Sequence, residues 1–175
     1  MSEIQVSHSE LTAKQILDKY FGSFRKLDNQ HPIWLEGLEL DRYYPDLGVA
    51  VEFQGDQHSR IVPGMHKGPE DFQRQIHLDT KKRQILESRG IRLYDINLLQ
   101  LDRMRVLDLV KRIAKDGAEY ALKKGRKDIH YKLKTTRFEE PETYLMRKVD
   151  RLSHIKKSYY KVGKKKSWLK KLFGI

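Results

Sequence analysis

The chain contains no cysteine among its 175 residues. A disulfide framework, a thiolate zinc site, an iron–sulfur cluster and a cysteine nucleophile are therefore excluded. Long apolar runs are also lacking, because no stretch approaches the roughly 18 residues that a membrane span needs, and residues 1–30 have no signal-peptide centre. We therefore expect a soluble, cytoplasmic protein without stable membrane insertion.

Acidic residues are scarce only in the last third of the chain. The net charge is +12, but residues 1–122 carry 18 basic and 19 acidic side chains, whereas residues 123–175 carry 18 and 5. A segregated basic block is typical of a segment that contacts a polyanion, although a solvated tail can have the same composition. We divide the chain into a core, residues 1–122, and a basic C-terminal extension, residues 123–175, which is partly helical or flexible.

Apolar periodicity predicts a mixed α+β core. Helices are expected over residues 7–21, 69–89 and 101–122, and strands over 38–43, 48–54 and 91–96. Residues 23–33 are expected to be irregular, residues 123–127 to form a linker, and Pro141 to open a further basic helix. This order of elements predicts a small central mixed sheet flanked by helices.

Three carboxylates crowd the predicted hairpin. Glu39 and Asp41 share one face of the first strand, because side chains alternate. With a turn centred between Asp46 and Leu47, Asp41 lies opposite Glu52, and their Cβ atoms are about 5 Å apart. Opposed carboxylates repel unless a cation lies between them, and oxygen ligands select Mg²⁺, for which Mn²⁺ can substitute. A solvated surface hairpin explains Glu39 but fits Glu52 poorly, because the strand around Glu52 is otherwise apolar.

Residues 38–58, LELDRYYPDLGVAVEFQGDQH, resemble the active-site hairpin of the PD-(D/E)XK, or restriction-endonuclease-like, nuclease superfamily. The branch they resemble is that of the small very-short-patch-repair and homing-type endonucleases. The resemblance covers about residues 7–100 and continues through Phe72, Gln75, Asp79, Lys82, Leu86 and Gly90. It implies a restriction-endonuclease-like core and Mg²⁺-dependent hydrolysis of DNA.

The resemblance also implies a metal site. Asp41, Glu52 and the main-chain carbonyl of Phe53 would hold one or two Mg²⁺ ions. The literal Pro-Asp dipeptide ends at Asp46, in the turn, some 15–20 Å from Glu52 at about 3.3 Å per residue, so the metal-binding aspartate is assigned to Asp41. Glu10 would add a carboxylate from the first helix, or it is an ordinary first-turn acid favoured by the helix dipole.

Gln54 stands where the superfamily usually has a lysine, two residues after the glutamate. Glutamine carries no charge that could stabilise the phosphate in the transition state. One account is that Gln54 positions a water molecule. Another is that a lysine of the following helix supplies the charge, Lys82 first and Lys81 second, because Asp79 and Lys82 lie one turn apart on one face. A third is that catalysis is lost and binding remains.

Other residues are assigned to the site by the same resemblance. Gln57 and His58 follow the catalytic strand and would contact the scissile phosphate or a metal-bound water, although an isolated histidine is as often structural. Gln75 and Asp79 would support the site from the helix, as would Glu39 from the hairpin. On helical spacing alone, Gln75 and Asp79 would be a solvated face.

The extension interleaves basic and aromatic side chains, which favours contact with DNA through phosphates and stacking. The candidate DNA-binding residues are Lys123, Lys124, Arg126, Lys127, Lys156, Lys157, Lys164, Lys165 and Lys166.

The sequence thus predicts a Mg²⁺-dependent DNA endonuclease that is associated with the nucleoid. One cleft cuts one strand, so double-strand cutting requires a homodimer or two successive events. One alternative is a non-catalytic nucleic-acid-binding protein that keeps the nuclease fold. Another is a basic adaptor tethered to a membrane surface or a partner by its last ten residues.

Overall fold

The computed structural model describes residues 8–53, 69–97 and 102–150. Its elements are α1 (His8–Phe21), β1 (Leu27–Gln30), a 3₁₀ turn (Ile33–Leu35), β2 (Leu40–Tyr44), β3 (Val49–Phe53), α2 (Pro69–Ser88), β4 (Arg92–Ile96), α3 (Arg103–Lys123) and α4 (Lys127–Thr135). Residues 143–150 are also helical. The fold is mixed α+β, as predicted, and each predicted helix and strand up to α3 is present with small shifts at its ends.

The described strands form one sheet in the order β1-β2-β3-β4. The first three strands are antiparallel neighbours, whereas β4 lies parallel to β3. A parallel neighbour needs a crossover connection, and that connection contains α2. The pairing of β2 with β3 joins Arg42 to Val51, which is the register predicted from a turn between Asp46 and Leu47. The predicted hairpin is confirmed.

Strand β1 was not predicted, because Leu27–Gln30 is short and mostly polar. Asn29 within it has a φ of 51°, a region that residues other than glycine seldom adopt. Arg42, which is buried on β2, donates to the two carboxylate oxygens of Asp28 at 2.6 and 3.0 Å and to Asp18 of α1 at 2.7 Å. This buried arginine holds β1 and α1 against β2 through charge-assisted hydrogen bonds, a constraint that local sequence patterns do not reveal.

Two hydrophobic clusters of described residues cover the two faces of the sheet. The larger cluster joins side chains of α1, α3, α4 and residues 143–150 to Val49 and Val51. The buried members of the smaller cluster, on the face that α2 covers, are Leu35, Leu40, Ala50, Leu86 and Ile91. The α2 face is therefore the more thinly covered one.

The basic extension contributes to the larger cluster. Its buried members there are Ile129, Leu133, Leu145, Met146 and Val149. Between α3 and α4 the chain turns tightly at Gly125, whose φ is 74°, and the Arg126 N–H donates to the Ala121 carbonyl at 2.8 Å. The segment predicted as a linker is thus a helix–helix turn. The composition changes after residue 122, but the hydrophobic core continues across that point.

We expect Leu133→Ala to lower the free energy of unfolding by about 2–4 kcal/mol, because truncating a buried leucine removes packing and leaves a cavity. Leu133 is 5% exposed in the larger cluster. Lys134→Ala, at the next and exposed position, is the matched control and should change the free energy by less than about 0.5 kcal/mol. Urea denaturation of the full chain measures both. Equally small effects would show that α4 lies outside the cooperative core.

Candidate active site

A cleft of about 260 Å³ lies between the sheet and α2. The predicted site residues that line it are Glu39, Asp41, Glu52, Phe53, Gln75, Asp79 and Lys82. The hairpin and the following helix thus bring together side chains that are separated by up to 43 positions in the sequence.

Asp41 and Glu52 are opposed across β2 and β3, because the pairing of Arg42 with Val51 sets them in register. The Phe53 main-chain N–H donates to Asp41 Oδ2 at 2.7 Å. This hydrogen bond fixes the Asp41 carboxylate at the end of the hairpin ladder. Asp46, the acid of the literal Pro-Asp dipeptide, lies instead in the turn, where it is 3.5 Å from Arg126.

Both opposed carboxyl groups have raised pKa values. Burial raises the pKa of Glu52 to about 7, and repulsion from Asp41 adds to the effect of burial. Burial also raises the pKa of Asp41, and the carboxylates of Glu10 and Glu39 raise it further. Two half-buried acids that disfavour each other's charge form an arrangement that a bound cation would relieve.

Lys82 contributes a positive charge to this pair. Its Nζ is 2.9 Å from Glu52 Oε2, and the two side chains are 13% and 19% exposed. Lys81 instead pairs with Glu36 at 2.5 Å and is more exposed. Of the two helix lysines that the sequence offered, Lys82 is therefore the one that contacts the carboxylate pair.

The oxygen ligands fit a hard divalent cation. Glu52 Oε1 is buried and accepts no hydrogen bond from any residue that the structure describes, which is a costly state for a carboxylate oxygen. Within residues 8–53, 69–97 and 102–150, no group of three or more His, Asp or Glu side chains could hold a metal ion. The predicted ligand set needs only Asp41 and Glu52, because its third ligand is the Phe53 carbonyl. These residues are compatible with Mg²⁺ or Mn²⁺.

Glu10 lies in the first turn of α1 and is close enough to Asp41 to raise its pKa. Its carboxylate is 2.7 Å from Nζ of Lys14, a buried lysine that also donates to Asn29 Oδ1 at 2.8 Å. The Lys14 ammonium lies 5.6 Å from the centre of the Phe53 ring. Lys14 was not predicted, although its spacing of four residues from Glu10 is a recognisable signal for a helical ion pair.

Asp95 and Arg83 also line the cleft, and the sequence analysis missed both. Asp95 is in register with Glu52, so carboxylates occupy neighbouring positions on β2, β3 and β4. Asp95 Oδ2 is 2.5 Å from an Arg83 guanidinium nitrogen. The available signal was an acid in a short apolar strand, the same signal that singled out Glu52.

The residues predicted to support the site, Glu39, Gln75 and Asp79, line the cleft. Gln75 Nε2 donates to Asp79 Oδ1 at 3.0 Å, and Asn29 Nδ2 donates to Glu39 Oε1 at 3.3 Å. The predicted residues Gln54, Gln57 and His58 lie outside the described residues, and their roles stay predictions.

Part of the predicted DNA-binding set is described by the structure. Lys123, Lys124, Arg126 and Lys127 are exposed at the turn between α3 and α4. Arg126 is paired with Asp128 at 3.2 Å as well as with Asp46. The other members lie outside the described residues, and they are Lys156, Lys157, Lys164, Lys165 and Lys166.

The raised pKa of Glu52 predicts a pH dependence of stability. An unfolded glutamate has a pKa near 4.5 and folded Glu52 one of about 7, so between these values the folded protein keeps a proton that the unfolded chain has released. We therefore expect the free energy of unfolding of metal-free protein to fall as the pH rises from 4.5 to 7, by up to roughly 3 kcal/mol from this group. Urea denaturation in EDTA measures it.

Glu52→Gln is the control for this titration, because glutamine does not ionise. The difference in stability between wild type and Glu52→Gln should change across pH 4.5–7 and stay constant above about pH 8. A difference that does not vary with pH would contradict the raised pKa of Glu52.

No family model matches the chain, and no solved structure matches it. It is similar to three viral proteins. Uncharacterized protein 307L of Invertebrate iridescent virus 6 is 36% identical over 59 residues, which are 34% of this chain and 30% of the relative. Uncharacterized protein 094L of Frog virus 3 (isolate Goorha) is 35% identical over 85 residues, 48% of this chain and 55% of the relative.

The third relative, uncharacterized protein 033L of Invertebrate iridescent virus 3, is 30% identical over 67 residues, 38% of this chain and 34% of the relative. The chain therefore spans between about a third and about half of the length of these relatives.

In the parts of the chain that the structure describes, no helix has the length and apolar character of a membrane span.

Proposed function

We propose that the protein is a Mg²⁺-dependent DNA endonuclease with a restriction-endonuclease-like core and a basic surface that grips DNA. The observation that carries the proposal is the opposed pair of Asp41 and Glu52, with Lys82 on Glu52, in an open polar cleft. An ion pair with a purely structural role needs neither a second buried carboxylate nor an open cleft. Carboxyl groups that have perturbed pKa values and line the same cleft are typical of catalytic sites.

The described residues would each have a stated role in hydrolysis. Asp41 and Glu52 would hold a metal ion, which would supply a water molecule of lowered pKa and neutralise charge on the phosphate oxygens. The Phe53 N–H keeps the Asp41 carboxylate in place. Lys82 holds a positive charge next to the carboxylates, where it would stabilise the oxygens of the phosphate as the water oxygen adds to phosphorus and one ester bond breaks.

The contact of Lys82 with Glu52 supports one of the accounts of the missing lysine. The cation that the superfamily carries two residues after its glutamate would here come from α2. Lysine has the reach for this, since its four-carbon stem carries a compact charge. Gln54 would then be free to position water or a neighbouring phosphate.

The DNA partner is supported by the distribution of charge. The exposed basic side chains at the α3–α4 turn belong to the segment whose net charge is +13, and such a segment gains affinity from the release of counterions. Homodimer formation and association with the nucleoid are further proposals that follow from the same function.

A non-catalytic nucleic-acid-binding protein is the second candidate, and the uncharged Gln54 is the observation that favours it. Such a protein would keep the cleft and the basic surface but would not hydrolyse DNA.

Incubating the purified chain with supercoiled plasmid, in Mg²⁺ or in EDTA, tests the proposal. We expect nicking in Mg²⁺ and in Mn²⁺, and none in EDTA. Salt-sensitive DNA binding without cleavage of supercoiled, branched or single-stranded DNA in either metal would favour the second candidate. Absence of both binding and cleavage would contradict both.

A further inference from the structure

A second cavity, of about 590 Å³, lies between the end of β4 and the first half of α3. We call it the α3 groove, and its charged lining consists of Asp95, Arg105, Asp108, Lys111 and Arg112. Asp95 lines the catalytic cleft as well. Both cavities therefore border this residue of β4, the cleft on the α2 face of the sheet and the groove on the α3 face.

The residue that borders both cavities, Asp95, forms an ion pair with Arg83. Because Asp95 is in register with Glu52 on the neighbouring strand, the residue that borders both cavities lies one strand spacing, about 5 Å, from Glu52. The carboxylate of Asp95 is compensated by Arg83, at 2.5 Å. An anionic strand that runs from the cleft to the groove would therefore pass close to the Arg83 guanidinium.

The basic side chains of the groove are spaced for a repeating anion. Arg105 and Arg112 are seven residues apart on α3, which is about 10 Å along the helix axis, and Lys111 lies beside Arg112. All three are exposed. A B-form strand has a phosphate about every 3.4 Å of its axis, so the groove spans about three nucleotides. Arg105 also lies 3.6 Å from the Asp102 carboxylate at the start of α3, so Lys111 and Arg112 are the side chains assigned to phosphates below.

We propose that the α3 groove holds the DNA strand that leaves the catalytic cleft, with Lys111 and Arg112 contacting phosphates about one to four nucleotides from the scissile bond. This inference rests on the proposed function and assigns part of its substrate contact to α3, whereas the sequence predicted contacts with DNA for the extension and for Gln57 and His58. Asp108, the remaining acid of the groove, would limit the attraction and favour a strand that can slide.

The test compares two double variants of the full chain. Lys111→Gln with Arg112→Gln removes two of the three positive charges that line the groove. Lys134→Gln with Arg137→Gln removes one exposed lysine in the last turn of α4 and one exposed arginine two residues beyond its end, both outside the lining of either cavity. Circular dichroism checks that both variants keep the wild-type fold.

Binding of a fluorescent duplex of about 30 base pairs is measured in EDTA, so that no cleavage is needed. We expect the groove variant to raise Kd roughly tenfold and to lower the slope of log Kd against log salt by about two, one for each lost phosphate contact. The α4 variant should change Kd by less than about twofold. In cleavage assays the groove variant should raise KM with little change in kcat.

Equal effects of the two variants would overturn the inference while leaving the nuclease proposal standing. Groove-dependent binding by a wild-type protein that cuts no DNA would support the groove and contradict the nuclease. A wild-type protein that binds no DNA, duplex or single-stranded, would overturn both.

Discussion

Glu52→Gln and Asp41→Asn are each expected to lower the rate of Mg²⁺-dependent nicking by at least about a thousandfold. Each change keeps the size of the side chain and removes a negative charge that the proposed metal ion would require. Losing the metal's stabilisation of the phosphate costs several kcal/mol, and each 1.36 kcal/mol is a factor of ten in rate. Single-turnover nicking of supercoiled plasmid at saturating Mg²⁺ measures the effect directly.

Asp46→Asn is the matched control for these two variants. Asp46 is the acid of the Pro-Asp dipeptide, but it lies at the turn beside Arg126, and we expect activity within about twofold of wild type. Loss of activity in Asp46→Asn together with a normal rate in Asp41→Asn would show that the metal-binding aspartate has been misassigned.

Misfolding would give a different result from loss of the metal site. Removing the charge of Glu52 relieves its repulsion from Asp41, and so Glu52→Gln should be at least as stable as metal-free wild type at pH 8. An inactive variant that is also much less stable would not support a role in catalysis.

Lys82→Ala is expected to lower the cleavage rate by about a hundredfold to a thousandfold, the usual loss when one group that stabilises transition-state charge is removed. Lys81→Ala should leave the rate within about twofold of wild type, because Lys81 pairs with Glu36 on the surface of α2. The two variants differ by one position in the same helix, so general effects on helix stability are matched. Rates at several Mg²⁺ concentrations separate loss of chemistry from loss of metal affinity.

A second substitution tests whether the positive charge near the phosphate can come from position 54 in place of position 82. Gln54→Lys places a lysine where the superfamily that the hairpin resembles usually has one, and in the Lys82→Ala background it should recover part of the lost rate. Equal rates in Lys82→Ala and wild type would instead favour the account in which Gln54 positions water. If the phosphate needs only one neighbouring positive charge, the effects of Lys82→Ala and Gln54→Lys on the cleavage rate should be non-additive.

The sequence predicted the parts of the site that depend on local periodicity. Asp41 and Glu52 could be paired because strand alternation and the turn residues together define a hairpin register. Helical phase favoured Lys82 over Lys81, and Lys82 is the one of the two that contacts Glu52. Asp95 could not be placed, because its alignment with Glu52 depends on a parallel pairing formed across the long crossover through α2.

The two structural features that the sequence did not predict, strand β1 and the buried helix in the extension, have a common physical cause. Strand β1 is polar and is held by Arg42, which contacts residues 14 and 24 positions away. In the extension, the abundance of lysine obscured the apolar pair of Ile129 and Leu133, whose spacing of four residues places them on one helix face. Tertiary packing outweighed local composition in both regions.

The unequal sizes of the two hydrophobic clusters have a consequence for motion at the site. α3 is held by the larger cluster and α2 by the smaller one, so the free energy of local opening should be lower for α2. The carboxylates of the cleft belong to the sheet, whereas Lys82 and Arg83 belong to α2. Amide hydrogen exchange should therefore be faster in α2 than in α3. A polyanion that contacts Lys82, Arg83 and the sheet together would slow the exchange of α2 most.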